Sequence, residues 1–494
     1  MSSILALDQG TTGSTALVVH ADGRVLGRGY REITQYFPAP GWVEHDPDEL
    51  FRLTVEAAAD AIRQAGEMPQ GIGLTNQRET VVLWDRRTLA PVVRALVWQD
   101  RRTAERCRAL EAAGHLHQVR SATGLLLDPY FSATKLEWLL QDPALRRRAE
   151  RGELAAGTVD SWIIARLTGG RAHVTDHTNA SRTLLYHLER REWDPALLAL
   201  FGVPWEVLPD IVPSSGVVAL TDREHLGASL PIAGIAGDQQ AALFGQGCVA
   251  AGQAKNTYGT GAFLLTHTGQ QLVDPRPGLL TTAAAGPRGE PAYALEGSVF
   301  IAGAVMQWLR DGLGILAHAP DSDALARSVA DTGGVAFVPA FVGLGSPYWE
   351  SEARGTIVGL TRGTTRAHLV RAALESMAYS SAELLAVMTS GSGFAVPALR
   401  VDGGAAANDW LMQFQADILD LPVERPENVE TTALGAAGLA GLALGVWPDV
   451  EAFLAGRRYR RFTPVMQPAT RDAGWRAWRR AVHAALAWAR GPEA

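Results

Sequence analysis

One short turn occurs twice in this chain, half a chain length apart. Gly10-Thr11-Thr12 lies between the apolar runs Ile4 to Leu7 and Thr15 to Val19, and Gly259-Thr260-Gly261 lies between Ala254 to Tyr258 and Ala262 to His267. Each pattern reads as a strand, a tight turn and a returning strand. The two turns are 249 residues apart in a chain of 494, which is too long for one hydrophobic core. The spacing therefore predicts a duplicated α/β fold: two related domains, each opened by a hairpin, facing each other across a cleft. A Gly-Thr turn offers backbone N–H groups and hydroxyls to a phosphate. Two of them would grip one nucleotide from opposite walls, and hinge closure would exclude water.

The first half adds candidates for chemistry at the ends of its strands. Asp8 closes the first strand, where an acid can hold a metal through water. Asp22-Gly23 turns into a third short strand near Arg24 to Arg28, and Asp46 is placed to cap a helix over 47–64. A buried strand, Gly71 to Thr75, then delivers Asn76-Gln77-Arg78-Glu79 at its carboxyl end, where α/β sheets bind ligands. A guanidinium donates and a carboxylate accepts, so Arg78 and Glu79 together suit a small polyol. Trp98 follows the apolar run Ala95 to Val97 as a candidate wall, and Tyr130 sits in a turn before a helix carrying Lys135 and Trp138. The stretch from Thr158 to Thr183, including Asp160-Ser161-Trp162, reads as polar and loop-like and receives no role. Ile232 to Ala236 reads as a strand running into Gly237-Asp238-Gln239-Gln240, with Asp238 as the cap of a helix.

In the second half, Leu399 to Asp402 enters the double-glycine turn Gly403-Gly404 and a long amphipathic helix to about Leu419. Small residues there allow a ligand to approach the backbone. A GxxxxGK[ST] loop is absent, so a nucleotide would be held in another way. The run Ala473 to Arg490 reads as an amphipathic closing helix.

A net charge of −7 argues against a nucleic-acid or anionic-membrane surface, and no run approaches the ~20 apolar residues of a membrane span. Cys107 and Cys248 lack metal or disulfide spacing and are expected to be buried. Asp8 within the first strand is wrong for a signal peptide, so a reducing cytoplasm is the expected address. Arginine supplies nearly all the positive charge; Lys135 and Lys255 are the only lysines.

Asp8 to Thr12, Gly73 to Thr80, Asp128 to Ser132, Gly237 to Ala241 and Lys255 to Gly261 together resemble the FGGY carbohydrate kinases, and among them the glycerol kinases. The similarity spans the whole chain and includes Gly343 to Trp349 and the turn from Val401 to Asn408. The resemblance implies two ribonuclease-H-like domains of the actin and hexokinase type, 1–246 and 247–494, each with a mixed sheet, around a cleft for ATP and Mg2+. It implies Asp238 as general base, and Asp8 with Asp238 at the metal through water. Arg78, Glu79, Trp98, Tyr130, Asp238, Gln239 and Phe263 match polyol positions. Thr11, Thr12, Thr260, Gly303, Gln307, Gly404 and Asn408 match nucleotide positions. Glycerol and ATP/ADP are the implied partners, and the implied assembly is a homo-oligomer, dimer or tetramer.

The chain departs from several relatives where Gly13 and Thr15 replace Ser and Arg, which removes one charged phosphate contact. Thr221 to Leu230 lacks the basic, glycine-rich loop that binds fructose 1,6-bisphosphate in some bacterial relatives, and His225 is expected to be a solvated surface residue rather than a phosphorylation site. Two other classes fit the same scaffold: a sibling kinase acting on a pentulose or larger polyol, and a nonenzymatic actin-like nucleotide switch. Arg78 and Glu79 with Trp98 and Phe263 favour a small, walled polyol pocket over the first, and intact Asp238 beside the polyol set disfavours the second.

Overall fold

The two Gly-Thr turns close the inner hairpins of two mixed sheets built to one plan. In the computed structural model, which describes residues 2–274, 278–390 and 393–490, the first sheet runs Val25–Glu32, Gly13–His20, Ser3–Gln9, Ile72–Asn76, Pro231–Gly237, Ser215–Leu220. Its joins are antiparallel twice, parallel twice, then antiparallel. The second sheet repeats that order with Tyr293–Val299, Ala262–Gly269, Ala254–Tyr258, Leu399–Asp402, Val423–Pro426 and Tyr459–Phe462. Leu280–Ala283 extends its first edge. The duplication expected from two turns is thus present in the strand order.

Both faces of the first sheet are covered, which explains why its strands read as nearly continuous apolar runs. On one face Leu5, Leu7, Ala16 and Val18 pack with Leu50, Phe51, Ala57 and Ala58 of the helix Pro47–Ala65. Asp46 caps that helix by accepting from the N–H groups of Asp48 and Glu49. On the other face Ile4, Ala6, Leu17 and Val19 pack against Ala433, Ala437 and Ala440 of the helix Thr431–Ala443. This helix comes from the second half of the chain. Small residues on both sides let it approach at backbone distance: a Cβ on Gly73 of the strand Ile72–Asn76 would lie 2.0 Å from the carbonyl oxygen of Ala436. The long helix Arg366–Thr389 and the closing helix Pro468–Arg490 share the core of the second sheet with Leu264, Leu399 and Val401.

Several local expectations are corrected. Asp160, Ser161 and Trp162 are buried in a helix, Val159–Leu167, rather than in a loop. Asp160 accepts from the hydroxyls of Thr158 (2.5 Å) and Thr175 (2.7 Å), so its polarity is satisfied inside the core. Burial pushes its carboxyl up to about 6. Asp238 is the first residue of the helix Asp238–Gly245, whose cap is Gly237. The helix after the double glycine is broken into a 3-10 turn, Gly404–Ala407, and Asp409–Leu419, because Asn408 leaves the helical conformation to cap the second piece.

Candidate active site

The parallel strands Ser3–Gln9, Ile72–Asn76 and Pro231–Gly237 end together, with Asp8, Thr75 and Ala236 in one row. Arg78, Glu79 and Asp238 follow just beyond that row. The Arg78 guanidinium donates to both carboxylate oxygens of Glu296, at 2.6 and 3.0 Å. Its Nε lies 3.2 Å from Asp238 Oδ1, and Nη2 donates to the Tyr130 hydroxyl at 3.4 Å. Arg182 completes the cluster by donating to Glu79 (2.6 Å) and Glu296 (2.9 Å). Gln239 Oε1 accepts from Lys255 Nζ at 2.5 Å. Of the expected polyol set, Arg78, Glu79, Tyr130 and Asp238 are therefore brought together, with Gln239 adjacent.

Isolated charges at this depth would each cost several kcal/mol, so the cluster depends on its pairing. Burial opposes ionisation of Glu296, but Arg182 and Arg78 overcome it and hold the carboxyl down at about 2. Burial likewise works against Arg78, and Glu296 with Glu79 leaves its guanidinium well above the ordinary value. For Glu79, burial outweighs Arg78 and Arg182 and raises the carboxyl. The difference is geometric: Glu296 has close contacts with two guanidiniums, whereas Glu79 has one at 2.6 Å and another at 3.7 Å. Glu79 also holds a left-handed backbone, φ 61°, a strained conformation for a non-glycine residue that is concentrated at functional sites.

The first turn is braced from the polyol side. The Trp98 indole donates to Thr11 Oγ1 at 2.8 Å and lies edge-on to Tyr130. Gln77 donates to the carbonyl oxygen of Gly10 at 3.1 Å. A Cβ on Gly13 would lie 2.6 Å from the far end of the exposed Tyr30 side chain, which would have to move aside. Thr15 pairs across the strands with Asp8 and Tyr30, so no arginine stands beside the acid. Asp8 is pushed up to about 8 by burial, then by Asp238 and Glu430. Asp238 and Glu430 each have an arginine partner, Arg78 and Arg28 at 3.2 Å, whereas Asp8 has none beside it among the described residues, and carboxylates are the oxygen ligands that a hard divalent cation such as Mg2+ takes.

The second turn gathers the nucleotide candidates. The carbonyl of Gly259 accepts from the N–H of Gly303, and that of Thr260 accepts from Ala302 and Ala304, so the helix Gly303–Gln307 hangs from the turn. A Cβ on Gly303 would sit 2.5 Å from the Gly259 oxygen, which explains the glycine. Thr12, Thr260, Gln307 and Gly404 are exposed, unlike the buried polyol cluster. Asn408 uses its side chain to cap Asp409–Leu419 and to donate to Ser322 at 3.1 Å. Phe263 is half-buried beside Thr257 and Ser298 in the second sheet, packed with Leu243 and Leu265.

Sequence reasoning missed Arg182, Glu296 and Glu430, and gave Lys255 no role. Glu296 left a signal: it is the one charged residue in the strand Tyr293–Val299. Gly343 to Trp349 supports that strand from behind, since Ser346 bonds Ser298 through its N–H (2.9 Å) and its Oγ (3.2 Å). Cys107 and Cys248 are free and buried, their thiols pushed up to about 12 chiefly by burial. His225 is partly buried, edge-on to Phe51 at 5.1 Å, rather than fully solvated. Among the described residues, no helix is long and apolar enough to cross a membrane.

Known proteins match this chain along its length. The model of the FGGY family of carbohydrate kinases, N-terminal domain, matches residues 3–245, and that of the C-terminal domain matches 254–444. A glycerol kinase of Carboxydothermus hydrogenoformans is 54% identical over 491 residues, 98% of each chain. One of Aromatoleum aromaticum is 55% identical over 493 residues, 99% of each. The crystal structure of Plasmodium falciparum glycerol kinase with ADP superposes with a TM-score of 0.93 at 35% identity, covering 99% of each chain. A xylulose kinase from Lactobacillus acidophilus, at 22% identity and a TM-score of 0.89 over 99% of each chain, shares the fold.

Proposed function

The chain belongs to the FGGY family of carbohydrate kinases, and from that premise we infer that Asp238 is the general base in the ATP-dependent phosphorylation of glycerol to sn-glycerol 3-phosphate, a step of glycerol catabolism. The observation that carries this reading is the meeting of Asp238, Arg78, Glu79 and Tyr130 at the ends of strands that also present the Gly10-Thr11 turn.

Phosphoryl transfer asks a protein chiefly to align the nucleophile with the γ-phosphate and to offset charge. Arg78 and Tyr130 donate to glycerol hydroxyls, Glu79 accepts from one, and Trp98 and Phe263 form apolar walls. Asp238 takes the proton of the primary hydroxyl as its oxygen attacks phosphorus; the Arg78 Nε, 3.2 Å away, keeps that carboxylate oriented. Thr11, Thr12 and Thr260 hold phosphate oxygens from the two turns, while Gly303, Gln307, Gly404 and Asn408 border the nucleotide. Asp8 and Asp238 would hold Mg2+, which when bound would supply charge neutralisation for the phosphates. The same reading divides the chain at 246/247, places it in the cytoplasm, apart from membranes and nucleic acid, and makes it a homo-oligomer.

The test is ADP release by the purified protein with ATP and Mg2+ against glycerol, dihydroxyacetone, erythritol and xylulose. Glycerol is expected to be preferred. Preference for xylulose would transfer the assignment to a pentulose kinase, and ADP release independent of any polyol would remove the kinase.

A further inference from the structure

Positive charge in this chain is carried by arginine nearly throughout, with 43 arginines to two lysines. Both lysines are fully buried, and both end on the polyol residues. Lys135 Nζ donates to the carbonyl oxygens of Pro129, Tyr130 and Phe131, gathering the turn that carries Tyr130 onto one ammonium. Lys255 Nζ donates to Gln239 Oε1 at 2.5 Å and Thr257 Oγ1 at 2.7 Å. An ammonium projects its donors from one atom and cannot accept, whereas a guanidinium spreads them along a planar fork. Acceptors that converge on a single point therefore call for lysine.

We propose that Lys255 is a positioning residue that fixes the direction of the hydrogen bond between Gln239 and the polyol. A glutamine amide has an oxygen end and a nitrogen end of nearly equal shape, and either fits the same space. Because Lys255 can only donate, it captures the oxygen end. The Nε2 N–H group is then the one left for substrate, so the polyol hydroxyl at Gln239 accepts from it. That hydroxyl keeps its own proton for a carboxylate, and the pocket has two, Glu79 and Asp238. Without Lys255 the amide is free to present its oxygen instead, and both hydroxyl and carboxylate are left mismatched. Thr257 makes the same ammonium part of the strand leading to the second Gly-Thr turn, so the orientation of Gln239 is anchored in the opposite half of the chain. This inference rests on Gln239 being a polyol contact.

A double-mutant cycle tests it, with Lys255→Met and Gln239→Ala singly and combined, read as kcat/KM for glycerol, KM for ATP and Tm. Lys255→Met is expected to lower kcat/KM for glycerol about tenfold when Gln239 is present, the scale of one charge-assisted contact. In the Gln239→Ala background the further loss should be less than about twofold, since the group being oriented is gone. KM for ATP should stay unchanged in all three variants. Equal losses in both backgrounds would overturn the proposal and leave Lys255 a general structural residue. Gln239→Glu gives the same answer without removing the lysine: it keeps the Lys255 contact but offers the polyol only an acceptor. It should lose as much activity on glycerol as Gln239→Ala, and wild-type kcat/KM in that variant would overturn the proposal. Wild-type turnover on glycerol is the control; its absence would overturn the assigned function itself, whereas normal wild-type turnover with an additive cycle would overturn this inference alone.

Discussion

The two Gly-Thr hairpins share a backbone and differ in charge. Three residues before Thr11 stands Asp8, and three residues before Thr260 stands Thr257. Beyond the strands beside the first turn come Arg78, Glu79 and Asp238, whereas beside the second turn the single acid, Asp402, is taken up by Gln246 and Thr431 and the next neighbours are Gly303 and Gly404. The end proposed for the polyol is largely buried and held by ion pairs, and the end proposed for the nucleotide is more exposed and shaped by backbone. Both domains of a duplicated fold can grip phosphate, because that task uses the N–H groups of a turn. Acid, base and metal chemistry happens at one phosphorus atom, so one wall suffices to carry it.

That division predicts different costs for changes at the two ends. Asp238→Asn should lower turnover by roughly 10²–10⁴ while leaving Tm near wild type, the range for losing a positioned base. Unchanged turnover would remove Asp238 from the chemistry. Glu296→Ala leaves Arg78 and Arg182 buried without their shared partner, and urea unfolding should show a loss of about 3–5 kcal/mol. A loss below about 1 kcal/mol would break the claim that ion pairing between the halves holds the polyol end. Arg78→Met should weaken the polyol interaction by about 1.5–3 kcal/mol, seen as a raised KM for glycerol with KM for ATP unmoved.

Asp8 gives a pH signature. Its folded value of about 8 lies above the ordinary carboxyl value near 4. Between those values the folded protein holds a proton that the unfolded chain has released. This contribution to stability is full below about pH 4 and is lost as pH rises through about 8. Mg2+ competes with that proton, so it should raise Tm more at pH 8 than at pH 6; an equal rise at both would separate the metal from Asp8. The smallest effect is expected at Gly404, where a Cβ meets no protein atom within 4 Å. Gly404→Ala should leave Tm unchanged and raise KM for ATP a few-fold, and an unaltered KM would place the nucleotide elsewhere.

The strand–turn–strand units, the cap at Asp46 and the clusters Arg78-Glu79 and Asp238-Gln239 were legible because each is encoded within a few residues. Arg182 and Glu296 were not, since they meet Glu79 and Arg78, respectively, from positions more than a hundred residues along the chain. A hydropathy pattern records their stretches as interruptions, and only the fold supplies the charges that make them stable when buried. The same blindness turned Asp160 to Trp162 into a loop on paper. The helix Thr431–Ala443 gave a different sign: apolar on all sides, it is suited to burial all round, and it crosses over to cover the sheet of the other half.

The central claim is transfer of the γ-phosphate to a hydroxyl activated by Asp238, and 31P NMR of ATP, Mg2+ and glycerol with wild type and Asp238→Asn tests it most directly. The account predicts a growing glycerol 3-phosphate signal matched to ADP with wild type, and almost none with the variant. ADP accompanied by inorganic phosphate and no phosphoester, or equal phosphoester from both proteins, would contradict it.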